Sequence, residues 1–163
     1  MIPEIDVQLA AVVKSLADNV LPAVDQGNPM AIEQLHLTLA TLNFVRERLP
    51  NLHAYLCRDL ADNVALARRI NADGAIIEDS ELILANLGLG PHAIEQQVRA
   101  LKQAIADRVD AARGTPEEAD VAAAVMSAQE PMILRARAWA IDMGFEPDRS
   151  QIPPLTELLE DND

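Results

Sequence analysis

Residues 91–113 read PHAIEQQVRALKQAIADRVDAAR, and in them Ile94, Val98, Leu101, Ile105, Val109 and Ala112 recur at spacings of three and four. At about 100° per residue these positions fall on one face of a helix. They form a seven-residue apolar repeat of the kind that packs at shallow crossing angles in bundles. Pro91 opens the segment, where its missing N–H costs nothing, and Gly114 follows its end, where a left-handed residue is favoured. Glu95 and Arg99 add a helix-stabilising pair four residues apart.

The same punctuation repeats outward from this segment. Six glycines, at 27, 74, 88, 90, 114 and 144, divide the chain into long Gly-free blocks, and prolines 3, 29, 50, 91 and 116 stand at block starts. In 4–24, Ile5, Leu9, Val12, Leu16, Val20 and Val24 form one stripe, which Pro22 should kink or end early. Asn28 and Pro29 open a helix that runs to about residue 49, with Ile32, Leu35, Leu39 and Leu42 along one stripe and Leu37 and Phe44 on a second apolar edge. Residues 51–72 place Leu52, Leu56, Leu60, Ala67 and Ile70 on one face, with Asn63 at its centre. Thr115, Pro116 and Glu118 read as a capping box for a helix reaching about 143, and Pro131 either kinks it or splits it in two.

Residues 73–90 join the third and fourth main helices. Asp73-Gly74 reads as a turn, and Ser80 before an acid could cap a short helix ending at Gly88. Ile76, Ile77, Ile83, Leu84 and Leu87 make this segment too apolar for a solvated linker. It must cover either the bundle or a neighbouring subunit, and these five residues are the expected interface. Ala122, Ala123 and Ala124 would let helices approach closely. The tail, 146–163, is acidic and contains Pro147, Pro153 and Pro154, so it should be largely mobile, although Leu155, Leu158 and Leu159 could form a last turn that docks. No run is β-branched and alternating. The expectation is an all-α protein: a single bundle of five to seven helices over 1–145, followed by the tail.

Composition narrows the function. The chain has 163 residues, 50% of them hydrophobic, a net charge of −13 and one cysteine, Cys57. At this length roughly 70% of the unfolded surface can be buried, so no disulfide or structural metal is required for folding. Nucleic-acid binding needs clustered Lys and Arg, which a net charge of −13 opposes. The longest uncharged run, 82–94, is too short and too interrupted for a membrane span. Acidic residues at the N-terminus do not fit a secretory signal, and a cytoplasmic location is expected.

No catalytic signature emerges, and no cofactor or metal is expected. Glu33 and His36 have the spacing used in di-iron bundles, but the second Glu-x-x-His such a site requires is lacking, and a polar surface stripe accounts for them. His53 and Cys57, four apart, are too few for a structural zinc. With Asn63 further along that edge they could line a small polar pocket, and an imidazolium beside Cys57 would lower the thiol pKa. Gly88-Leu-Gly90-Pro-His-Ala93 matches the letters of a dinucleotide fingerprint. It lacks the strand context, and Pro91 removes an N–H from the turn that would cradle phosphate. The arginines at 58, 68, 69, 135 and 137 are expected to balance acids on neighbouring helices rather than hold an anion.

Leu16 to Val24 (LADNVLPAV) and Leu42 to Leu49 (LNFVRERL) resemble the opening of a family of small uncharacterised bacterial helical proteins, often encoded beside aminoglycoside-phosphotransferase-like kinases and acyl-CoA enzymes. The resemblance covers about 35 residues and brings no functional residue with it. It implies an accessory role beside a phosphotransferase-like or acyl-CoA enzyme. Together with the apolar connection, this leads to the expected function: a non-enzymatic helical interaction or accessory protein, homodimeric. The alternative is a bundle that binds a small apolar or acyl ligand, with weak chemistry at His53 or Cys57.

Overall fold

The computed structural model describes residues 4–86, 88–144 and 146–160. Among these the fold is all-α, with no strand: α1 (Ile5–Ser15), α2 (Pro29–Arg48), α3 (Leu52–Arg69), α4 (Gly74–Ala85), α5 (Pro91–Ala112), α6 (Glu118–Ala140) and α7 (Leu155–Leu159). The chain divides into two compact units, Met1–Pro50 and Asn51–Asp163. The expected division was a 1–145 bundle and a 146–163 tail; among the described residues, buried side chains occur in the second unit alone.

In the larger unit, α3 is the central helix, and the stripe read from its sequence is the stripe that packs. Leu56, Leu60, Ala67 and Ile70 are buried with Ile94, Val98, Leu101, Ile105 and Ala112 of α5 and Val121 and Ala124 of α6. Leu60 and Leu101 have no exposed surface. Within the connection, Gly74–Ala85 form α4, and its cap is not Ser80. The Asp73 carboxylate accepts from the N–H of Ala75 at 2.9 Å and of Ile76 at 3.4 Å, so α4 starts at Gly74. Ser80 is then interior and fully buried. Its hydroxyl donates to the Ile76 carbonyl at 2.7 Å, and Gln97 Nε2 of α5 donates to it at 2.9 Å.

The expected capping box at Thr115 does not form: α6 starts at Glu118, with Glu117 as its N-cap and no side-chain cap. The Glu118 carboxylate accepts from the Gly114 N–H at 2.8 Å, while the Thr115 hydroxyl donates to the Ala112 carbonyl. α6 runs unbroken through Pro131, which removes one helical N–H donor without ending the helix.

Residues 146–160 are not a free tail. Ile152 and Leu155 are buried with Ala138, flanked by Tyr55, Trp139, Leu158 and Leu159, and the Tyr55 and Trp139 rings lie 4.4 Å apart. Gly144, at φ +81°, ends the short 3-10 turn after α6 in the left-handed region, where glycine carries no penalty. The Arg137 fork then grips Glu146 at 2.7 and 3.0 Å and holds its carboxyl below the usual carboxylate range. Mobility was expected from acid and proline content, and the buried Ile152 and Leu155 outweigh it.

The smaller unit is a helical hairpin. Pro22 sits in a 3-10 turn, Leu21–Ala23, that follows a π turn, Leu16–Val20, so α1 ends at Ser15. Asn28 caps α2 by accepting from the Ala31 N–H at 3.1 Å. Arg46 of α2 pairs with Asp6 of α1 at 3.5 Å. No described residue of this unit is buried.

Candidate functional site

His53 and Cys57 lie one turn apart on α3, with Cys57 Sγ 3.7 Å from His53 Nδ1. Together with Arg58, Ala61, Leu84 of α4 and Leu159 of α7 they line an open recess of about 450 Å³. Burial pushes the Cys57 thiol above its ordinary value. The thiol is therefore neutral near pH 7, opposite to the direction a nucleophile requires. Cys57 is expected to react with a chromogenic disulfide more slowly than free cysteine at neutral pH, and to accelerate as the pH passes its raised value. A rate matching or exceeding that of free cysteine would mean that His53 activates it.

The structure does not bring Asn63 into this recess. Asn63 is 3% exposed, and its Nδ2 donates to the Asp59 carbonyl at 2.6 Å and to Asp59 Oδ1 at 3.1 Å. A buried amide satisfied within its own helix is a packing element. Among the described residues, no three His, Cys, Asp or Glu side chains cluster closely enough to hold a metal ion.

Asp59 leads to a feature that sequence reasoning assigned only to charge balance. Arg135 of α6 is 3% exposed, with its guanidinium 5.7 Å from the Tyr55 ring centre. Its Nη1 lies 2.6 Å from Asp62 Oδ2, without the alignment of a hydrogen bond, and its Nη2 lies 4.0 Å from Asp59. Lys102 of α5 reaches Asp59 at 2.8 Å, and Arg58 reaches Asp62 at 3.3 Å. Two carboxylates on α3 thus tie α5 and α6 to it. The charges of this cluster are balanced by the chain's own groups, although Arg135 Nε and Asp62 Oδ2 are buried without a hydrogen bond.

The expected interface on the 73–90 segment is also absorbed internally. Ile77 is 8% exposed, and Ile76, Ile83 and Leu84 pack against the same core. Leu87 lies outside the described residues. The helix covers its own bundle, because α3 and α5 leave an apolar groove that Asp73 starts α4 in register to fill. The outward-facing large apolar residue of α4 is Leu82, at 70% exposure.

The largest apolar exposure of the smaller unit lies on both its helices, with Ile5, Val7 and Val12 exposed on α1 and Met30, Leu37 and Val45 on α2. On α2, the half-buried Ile32, Leu35, Leu39 and Leu42 share the side of Arg46, whose ion pair with Asp6 places α1 there. Met30, Leu37 and Phe44 lie about 180° away at ~100° per residue. Helix α2 is therefore apolar on two opposite sides. Leu37 and Phe44 were legible in the sequence as a second edge; Met30, seven residues before Leu37, completes it. No helix among the described residues is long and apolar enough to cross a membrane. No family model, curated protein or solved structure matches the chain.

Proposed function

We propose that this chain is a non-enzymatic helical interaction protein that works as an oligomer, with the hairpin of α1 and α2 as its interacting unit. The observation that supports this reading is a hairpin without a buried residue whose second helix is apolar on two opposite sides. Ordering each residue costs about 1–2 kcal/mol of backbone entropy, and one half-buried seam offsets little of that. A second layer over α2 would supply the missing burial. Both stretches that resemble the family of bacterial helical proteins, 16–24 and 42–49, lie in this hairpin. An accessory role beside a phosphotransferase-like or acyl-CoA enzyme would be exercised through the same unit.

Hydrogen exchange on the full chain tests the reading. Amides of 29–48 are expected to be protected at high protein concentration and to lose protection on dilution, while those of 52–69 and 91–112 stay unchanged. Protection of 29–48 that is independent of concentration and of any added protein would overturn it. The second reading, a bundle holding a small apolar or acyl ligand, has the recess beside Leu84 and Leu159 in its favour. A fatty acyl probe that shields Cys57 from thiol reagents would support it.

A further inference from the structure

We infer that the outer side of α2 is covered by α2 of a second copy of this chain, running antiparallel, with Leu37 on the two-fold axis. This inference rests on the interaction reading and names its occupant. Met30 is 72% exposed and Leu37 53%, while Phe44 is half-buried and carries the Arg48 guanidinium 5.4 Å from its ring centre. The three sit seven residues apart, so they stay on one line along a pair of supercoiled helices. Seven residues lie on either side of Leu37. An antiparallel pair crossing there sets Met30 against the second copy's Phe44, twice, and Leu37 against itself. A stripe that is its own complement about its midpoint is what an isologous interface requires.

Charge selects the direction. On the outer side of α2 the acid Glu33 stands in the first half, with Asp25 just before the helix, whereas Arg48 stands in the last turn; Arg46 lies on the opposite side with Asp6. In the antiparallel register Glu33 comes level with the second copy's Thr41, and Arg48 comes level with its turn around Asp25 and Gln26. In a parallel register Glu33 would stand beside Glu33 and Arg48 beside Arg48, and the helix dipoles would repel. The seam spans about 21 Å at 1.5 Å per residue. Three apolar side chains per copy bury less than the ~800 Å² per partner of a standard interface, so the dimer is an exchanging one.

Cysteine pairing tests both surface and direction, with Cys57→Ser as background in the full chain. Under mild oxidation at high concentration, Leu37→Cys is expected to form a disulfide-linked dimer. Met30→Cys alone and Phe44→Cys alone should not, whereas a mixture of those two should. Leu37→Asp should raise the concentration at half-dimer by roughly tenfold or more. Self-linking of all three single variants, with no disulfide between the Met30→Cys and Phe44→Cys chains in their mixture, would mean a parallel pair and overturn the register. A dimeric mass with no linking at any of these positions would overturn the inference and leave the interaction reading standing. A monomeric mass at every concentration, with 29–48 still responding to another protein, would also overturn the second copy alone. With no such response, the interaction reading falls too.

Discussion

Arg135→Ala is expected to lower the unfolding free energy by about 3–5 kcal/mol, read as a shift in the urea midpoint at unchanged slope. The guanidinium is 3% exposed between Asp59 and Asp62, and these carboxylates are only 15% and 18% exposed. Removing it leaves two largely buried acids three residues apart on α3 with less opposing charge. Lys102 and Arg58 soften the loss, which sets the lower end of the range. Arg135→Lys should fall between: it keeps the charge but loses the fork that reaches both carboxylates and the stacking on Tyr55. A loss below about 1 kcal/mol for Arg135→Ala would show that the cluster is solvated and that α6 is held by apolar contacts alone.

Leu101→Ala is expected to destabilise by about 3–5 kcal/mol, the upper part of the range for buried leucines. Leu101 has no exposed surface and sits in the middle of α5, in the same cluster as the equally inaccessible Leu60. That cluster draws side chains from α3, α4 and α6 as well, so a shift of one element does not close the void. Thermal unfolding should fall by more than 10 °C, at roughly 4 °C or more per kcal/mol for a unit of this size. Leu37→Ala is the contrast. At 53% exposure it should change the unfolding of the 51–160 unit by less than about 0.5 kcal/mol. A small effect of Leu101→Ala would mean that α5 does not form the core described.

The residues that announced themselves in the sequence are those whose role depends on periodicity. The stripes of α3 and α5, the Asn28–Pro29 start of α2 and the early end of α1 near Pro22 all follow from local rules, and the structure places them accordingly. What was illegible depends on neighbours brought from elsewhere in the chain. Asp73 and Ser80 both satisfy the rules for a helix start; only the groove between α3 and α5 selects Asp73. Arg135 looks like any surface arginine until α6 lays it on Asp59 and Asp62, 73 residues or more earlier in the chain. The tail reads as solvated because acids and prolines dominate its composition, yet Ile152 and Leu155 decide its place. In the candidate recess, the i,i+4 spacing of His53 and Cys57 foretold their contact, whereas Leu159 came from a segment expected to be mobile.

Sedimentation equilibrium of the full chain over a wide concentration range reads the self-association through α2. The mass should rise from 17.7 kDa toward twice that value with concentration, and stay near 17.7 kDa for Leu37→Asp under the same conditions. A mass of 17.7 kDa at every concentration, or a dimer as tight for Leu37→Asp as for the native chain, would contradict it.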